Sequence, residues 1–263
     1  MTLPETSIEN LRSLGYTEDE ARFLYIAATH SSYFSTRQYL QFTGAKSGER
    51  NMAFTQKLLG MDHATAKLLL RNGRVYHLCS RLIYRAIGRS KLRNRREHSL
   101  EYIRTKLAIL DFVLAHLDYR YLETEAEKVD YFCSKLGISR AILPAKRYSG
   151  AIRHNTTDRY FVDKFPLFFV PESSSSPVIT FSFIDPGLMT LASFETHLLA
   201  TVPSLLRCRC FALCTSPRVP PALNPLGNCS LAFRKRLQTL IPESKSSAIS
   251  RWASFGKPSS TAS

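Results

Sequence analysis

The 263-residue chain has 36 Lys and Arg against 21 Asp and Glu, a formal net charge of +15 at pH 7. Its 44% hydrophobic and 11% aromatic content suffices for a packed core, which excludes an intrinsically disordered chain. No apolar run approaches the roughly 20 residues of a membrane span, and the start, MTLPETSIENL, is too polar for a signal peptide. We therefore expect a cytoplasmic protein with reduced thiols, no membrane partner and a polyanionic ligand.

Two short helices are predicted first. The segment T-E-D-E at Thr17 is a capping box with Glu20, and it begins a helix that continues through ARFLYIAATH. Ser35 or Thr36 can begin a second helix in YFSTRQYLQFTG, and Gly44 can end it.

A third helix and a hairpin follow. The helix is predicted over ERNMAFTQKLLG, ending near Gly60, with Met52, Leu58 and Leu59 facing the core. In HATAKLLLRNGRVYHL, two β-prone runs flank Asn72-Gly73, which is the commonest pair in a tight two-residue turn. Arginines on both sides of that turn should project from the tip of the hairpin.

Three helices and a hairpin predict a winged helix over residues 10–88. In that fold the third helix enters the major groove and the hairpin contacts the flanking backbone. Arg50 and Asn51 would meet base edges, and Arg37 and Gln38 would anchor the second helix at a phosphate. The DNA contacts predicted for this module are Arg37, Gln38, Arg50, Asn51, Lys57, Arg71 and Arg74. The alternative is a winged helix that contacts only proteins.

A basic segment comes next. SRLIYRAIG predicts a short helix closed by Gly88, and RSKLRNRRE, at residues 89–97, has five basic residues between Arg89 and Arg96. This linker either lies along the DNA backbone or is the solvated start of a helix. In the first case Arg93, Arg95 and Arg96 contact phosphates.

The second half predicts a small α/β domain over residues 98–206. HSLEYIRTKLAILDFVLA is a long helix with an apolar stripe of Leu100, Ile103, Leu107, Leu110 and Val113. It is followed by a strand in YRYLET and a helix ending at Gly137. Strands around Pro166 and in PVITFSFID come next, and then the helix LASFETHLLATVPSLL. This α-β-α-β-β-α order predicts an α+β or α/β fold with a small mixed sheet.

Acidic residues at the predicted strand ends allow a second function. Glu125, Asp163 and Asp185 could hold Mg²⁺, which prefers oxygen ligands and would position a phosphate for hydrolysis, as in a nuclease. The alternative is that these acids are turn and cap residues, with no metal or other cofactor.

The last quarter differs in composition. Residues 201–263 contain nine Lys and Arg but one acidic residue, and they hold four of the six cysteines. Residues 207–263 are predicted to be an irregular, basic tail, either natively disordered or translated out of the ancestral frame. Their cysteine spacing, from Cys208 through Cys210 and Cys214 to Cys229, does not match a zinc site.

Over residues 10–200 the sequence resembles the replication-relaxation family of plasmid and mobile-element proteins. The resemblance lies in TEDEARFLYIAATH, STRQYLQFTG, GRVYHLCSRLIYRAIG, the helix start HSLEYI, and Asp163 and Asp185. It implies a winged helix, a second domain similar to restriction nucleases, and DNA binding in plasmid or mobile-element maintenance. Restriction-type cleavage would need a lysine shortly after the strand aspartate. None follows Asp185, so the nuclease-like domain is expected to be degenerate.

The leading hypothesis is therefore a sequence-specific or structure-specific double-stranded DNA-binding protein, not an enzyme, that acts in replication, mobilisation or transcriptional control. The rivals are a Mg²⁺-dependent endonuclease and a protein–protein adaptor. The sequence leaves the oligomeric state open, a homodimer included.

Overall fold

The computed structural model describes residues 1–45, 48–69, 73–90, 92, 95–149, 156–161, 165–170, 179–187, 190–205 and 211–215. Within these ranges the fold is mixed α+β, with eight α-helices, and contacts divide the chain into two units, Met1–Asp118 and Tyr119–Ser263. None of the helices in the described part of the chain is long and apolar enough to cross a membrane.

The first unit contains six helices and one antiparallel sheet. The helices are α1 (Glu5–Ser13), α2 (Glu18–His30), α3 (Thr36–Thr43), α4 (Gly48–Gly60), α5 (Arg81–Ala86) and α6 (Leu100–Ala115). The strands are β1 (Tyr33–Ser35), β2 (Ala64–Leu69) and β3 (Gly73–Leu78), in the order β1-β3-β2.

Local capping sets the predicted helix ends. The Thr17 hydroxyl accepts from Glu20 N and the Glu20 carboxylate accepts from Thr17 N, which confirms the capping box at the start of α2. Gly44 ends α3 in the left-handed region at φ +63°, as expected. Helix α1 was not predicted, and its buried Ile8 and Leu11 lie on a helix that packs against α2.

The hairpin is present, but its turn differs from the prediction. Leu69 pairs with Gly73, so Gly73 is the first residue of β3 and not a central residue of a two-residue turn. Arg71 and Asn72 lie outside the described residues.

Aromatic side chains form the core on one face of the sheet. Phe34 of β1 and Tyr76 of β3 stack at 5.2 Å between ring centroids. Phe54 of α4 stacks on Tyr39 of α3 at 4.1 Å, and Phe23 of α2 meets both Phe34 and Phe54. These contacts fix α2, α3 and α4 on the same side of the sheet.

Helix α6 covers the opposite face. Ile103 forms a buried cluster with Tyr33 and Val75, and Leu107 packs against it. The boundary expected at residue 98 therefore differs from the observed division after Asp118, because α6 buries its apolar stripe on the first sheet. Leu100 is half exposed and does not belong to that stripe.

The second unit contains two sheets. Its elements are β4 (Arg120–Leu122), α7 (Glu125–Asp130), a π-helical turn (Tyr131–Lys135), a 3₁₀ turn (Arg140–Ile142), β5 (Ala145–Ser149), β6 (Thr156–Tyr160), β7 (Leu167–Phe169), β8 (Ile179–Phe183), α8 (Leu191–Leu205) and β9 (Phe211–Thr215). The larger sheet has the order β4-β7-β8-β9, and β5 pairs with β6 in the smaller one.

This unit confirms a small mixed sheet and corrects two details. The strands on either side of Pro166, β6 and β7, belong to different sheets, since β6 pairs with the unpredicted β5. Phe211–Thr215 pairs in parallel with β8, so this part of the predicted irregular tail is a strand. The rest of the predicted tail, residues 207–210 and 216–263, lies outside the described residues.

Candidate nucleic-acid interface

Helix α4 presents a different face from the one predicted. Asn51, Phe54 and Leu58 are buried, together with Thr55, at the i, i+3, i+4 and i+7 spacing of a core-facing helix. Asn51 therefore lies in the core and not at a position where it can meet a base edge. Met52, which was predicted to be in the core, is 54% exposed.

The cations of α4 contact acids from the first turn of α2. Arg50 Nη2 lies 2.5 Å from Asp19 Oδ2, and this hydrogen bond raises the pKa of Arg50. Lys57 Nζ donates to Glu20 Oε2 at 2.6 Å and to the carbonyl of Gly15 at 3.1 Å. Both positive charges are thus compensated within the fold, which weakens their attraction for a phosphate.

The two residues predicted to anchor α3 on DNA instead join α3 to α6. Arg37 Nη2 donates to both carboxylate oxygens of Asp111, at 2.7 and 2.8 Å. Gln38 is fully buried; its Nε2 donates to Leu107 O and Asp111 Oδ1, and its Oε1 accepts from Ser35 N. Gln38 has no surface to offer a phosphate.

The hairpin presents an exposed arginine. Arg74 lies opposite Leu68 and shares a sheet face with Tyr76, whose ring packs on the side of α4. Arg74 is exposed and makes no ion pair with any residue that the structure describes. Leu68 is 75% exposed beside it.

Helix α5 adds two arginines that sequence reasoning missed. Arg81 and Arg85 are exposed and one turn apart, and neither forms an ion pair within the described ranges. Ile83 and Tyr84 are buried on the opposite side, where Tyr84 Oη donates to Ser32 Oγ at 2.7 Å and burial raises the pKa of Tyr84. The sequence signal was the R-L-I-Y-R pattern, in which two arginines four positions apart enclose Leu82, Ile83 and Tyr84.

The basic linker is partly held against the fold. Arg89 Nη2 donates to Tyr25 Oη at 3.0 Å, and its guanidinium lies over the same ring. Arg95 is half-buried and Arg96 is exposed. Arg93 lies outside the described residues.

The sequence around these arginines has an unusual charge balance. The segment Lys67–Arg96 contains ten basic residues and no acidic residue. It covers β3, α5, part of β2 and most of the linker. We call Arg74, Arg81 and Arg85 the exposed arginines, and Arg37, Arg50 and Lys57 the paired cations.

The acids proposed for catalysis have local partners. Glu125 accepts from Arg159 Nε at 2.6 Å and from the backbone N–H of Tyr160 at 2.7 Å. Asp185 Oδ1 accepts from the backbone N–H two residues later at 2.8 Å, as a turn residue does. Asp163 lies outside the described residues. Within the described ranges no three His, Cys, Asp or Glu side chains are grouped to hold a metal ion.

A scan of protein-family models, a search of curated proteins and a search of solved structures each found no match to this chain. The resemblance to the replication-relaxation family therefore stays a prediction, and the function has to be inferred from the residues of the chain itself.

Proposed function

We propose that the first unit is a winged-helix module that binds double-stranded DNA mainly through its hairpin and helix α5. The succession α2-β1-α3-α4-β2-β3 and the strand order β1-β3-β2 support it, because they match three helices with a wing. Helix α4 would face the major groove, with the wing beside it on the backbone.

The exposed arginines carry this proposal. Affinity for DNA comes largely from cations that neutralise phosphates and release counterions. Arg74, Arg81 and Arg85 are exposed in a segment that contains no acid, whereas the paired cations already contact carboxylates. Phosphate contacts by the exposed arginines would dominate binding, and their charge would set its salt dependence.

Sequence recognition through contacts to base edges would depend on few side chains. Gln56 is exposed on α4, and its side-chain amide would contact an adenine edge in the role that was predicted for the buried Asn51. We infer weak sequence preference and strong dependence on backbone shape. The family resemblance would place this activity in plasmid or mobile-element maintenance.

Duplex binding of the full chain at several salt concentrations tests the proposal. The triple variant Arg74→Gln, Arg81→Gln, Arg85→Gln should reduce the slope of log K against log salt by about 2.7, at about 0.9 per lost phosphate contact. At about 0.1 M salt this corresponds to a loss of roughly two to three orders of magnitude in affinity.

The matched control removes the same charge from arginines with acidic partners. In Arg12→Gln, Arg22→Gln, Arg37→Gln, the lost side chains contact Glu18 or Asp111, so the slope should change much less. Equal losses in both triple variants would show that net charge, and not the position of the exposed arginines, governs binding.

A protein–protein adaptor is the second candidate. The observation that favours it is the pair of exposed apolar side chains Leu68 and Met52, 75% and 54% exposed, on the hairpin and on α4. A chain that binds no duplex at about 20 mM salt, where phosphate contacts are strongest, would exclude DNA binding and support the adaptor.

A further inference from the structure

The outer face of helix α4 is formed by four exposed side chains, none of which is a cation. Glu49, Met52, Ala53 and Gln56 follow the i, i+3, i+4 and i+7 spacing of residues that share one side of a helix. Met52 alone is 54% exposed. The buried Phe54 lies on the opposite side and stacks in the aromatic core, so the rotation of α4 holds this face outward.

The two cations on the side of α4 next to this face are engaged elsewhere. Arg50 contacts Asp19 and Lys57 contacts Glu20. The commonest specific contact to guanine is an arginine or lysine side chain that donates to its O6 and N7 atoms. The outer face of α4 therefore lacks the type of side chain that would recognise guanine.

The neutral side chains of the face suit an A·T base pair instead. The amide of Gln56 can donate to adenine N7 and accept from adenine N6, and the apolar Met52 and Ala53 can contact the methyl group of thymine. Gln56 lies about one helical turn, roughly 5 Å along the axis, from Met52 and Ala53. Base pairs are stacked about 3.4 Å apart, so these side chains can reach adjacent base pairs.

The acid on this face separates base contacts from backbone contacts. A carboxylate at Glu49 repels phosphates, and the base-edge donor that suits it is the N4 amino group of cytosine. Helix α4 would therefore add little to the binding of the DNA backbone. That part of the affinity is left to the exposed arginines, so changes on α4 should alter which sequence is bound more than how the affinity depends on salt.

We propose that α4 recognises adjacent A·T base pairs in the major groove, with Gln56 at an adenine and with Met52 and Ala53 at thymine methyl groups. This inference rests on the proposed DNA-binding function and adds the class of duplex that is preferred. Three side chains carry the recognition, so the preference for A·T over G·C at these positions is modest, about tenfold.

Selection of duplexes from a random pool by the full chain tests the proposal. We expect the bound duplexes to be enriched in adjacent A·T base pairs. The selected duplex is then made with two base analogues that change only the major groove. Deoxyuridine lacks the thymine methyl group and should weaken binding about fourfold, the value of one buried CH₂ group. The analogue 7-deazaadenine lacks N7 and should weaken binding about fivefold, the value of one hydrogen bond.

Variants of exposed residues assign each analogue effect to a side chain. Gln56→Ala should bind the duplexes with adenine and with 7-deazaadenine equally, and Met52→Ser should reduce the effect of deoxyuridine. Gln41→Ala and Met61→Ser change exposed residues outside this face and are the matched controls, which should keep both effects. All four positions are exposed, so these variants should fold normally.

The outcomes separate this inference from the proposed function. No binding to any duplex at about 20 mM salt would overturn both. Duplex binding without enrichment of A·T base pairs would overturn only the role of α4. An A·T preference that neither analogue reduces would also overturn that role, because the preference would then come from the shape of the minor groove. A Gln56→Ala variant that stays sensitive to 7-deazaadenine would remove Gln56 from the adenine contact.

Discussion

Two regions of the first unit carry similar numbers of cations but differ in what those cations contact. Each paired cation meets an acid that is distant in sequence: Arg37 with Asp111, Arg50 with Asp19 and Lys57 with Glu20. The exposed arginines, on β3 and α5, make no ion pair with a described residue.

This difference separates charge that holds the fold from charge that is available to a ligand. A cation beside a carboxylate adds little to the field felt by an approaching phosphate, whereas an uncompensated cation contributes in full. Substitution of a paired cation or of its neighbours should therefore change the free energy of unfolding. Substitution of an exposed arginine should change DNA affinity at nearly constant stability.

The largest expected effect is at Gln38. Gln38→Ala removes hydrogen bonds to Ser35 N, Leu107 O and Asp111 Oδ1 in a fully buried position. Leaving buried partners unsatisfied should lower the free energy of unfolding by about 3 kcal/mol, measured by urea denaturation. Gln41→Ala, exposed on the same helix, should change it by less than about 0.5 kcal/mol. Normal stability with weakened duplex binding would instead assign Gln38 to the phosphate contact predicted from sequence.

Lys57 should have the next largest effect. Its partner Glu20 is 8% exposed in its side chain, so Lys57→Met leaves a buried carboxylate without its ammonium. We expect a loss of about 2 kcal/mol in the free energy of unfolding, less than for a fully buried pair because Lys57 itself is partly exposed. The double variant Lys57→Met, Glu20→Gln should recover part of this loss. A double variant no more stable than Lys57→Met would show that the ion pair is not the cause.

A smaller effect is expected from pH in the same region. His63 Nδ1 lies 2.6 Å from the Tyr16 hydroxyl, and burial lowers the pKa of His63 below 6.5. The unfolded chain therefore takes up this proton first as pH falls, so stability is full above about pH 6.5 and decreases below it.

Urea denaturation at pH 7.5 and 5.5 measures this decrease. His63→Gln should reduce the difference between the two pH values without removing it, because burial also lowers the pKa of His98. An unchanged difference would exclude His63 as a source of the pH dependence.

Local chemistry predicted most elements of the first unit, but it missed α1 and β1. The Thr17 capping box, the Gly44 helix end and the two strands around residues 70–72 follow from residues next to one another in sequence. The α+β class and the small mixed sheet were predicted in the same way.

What could not be predicted depends on contacts between distant residues. Asn51 and Met52 exchange their expected environments because the aromatic core around Phe54 sets the rotation of α4. Helix α6 joins the first unit because Tyr33 and Val75 offer it an apolar face. A count of cations in the sequence cannot show that Asp111 is the partner of Arg37, 74 positions away.

The smallest changes in stability are expected at Arg50 and Arg74, and these two residues allow the most direct comparison of a paired cation with an exposed arginine. Arg50 and Asp19 are both about half exposed, so Arg50→Gln should lower the free energy of unfolding by only about 0.5 kcal/mol. Arg74→Gln should leave it unchanged within about that amount. In duplex binding the order reverses: Arg74→Gln lowers the salt slope by about 0.9, and Arg50→Gln lowers it less, because Arg50 already donates to Asp19. Equal salt slopes for the two single variants would show that pairing within the fold does not decide which cations contact DNA. Both guanidinium groups would then release the same number of counterions on binding.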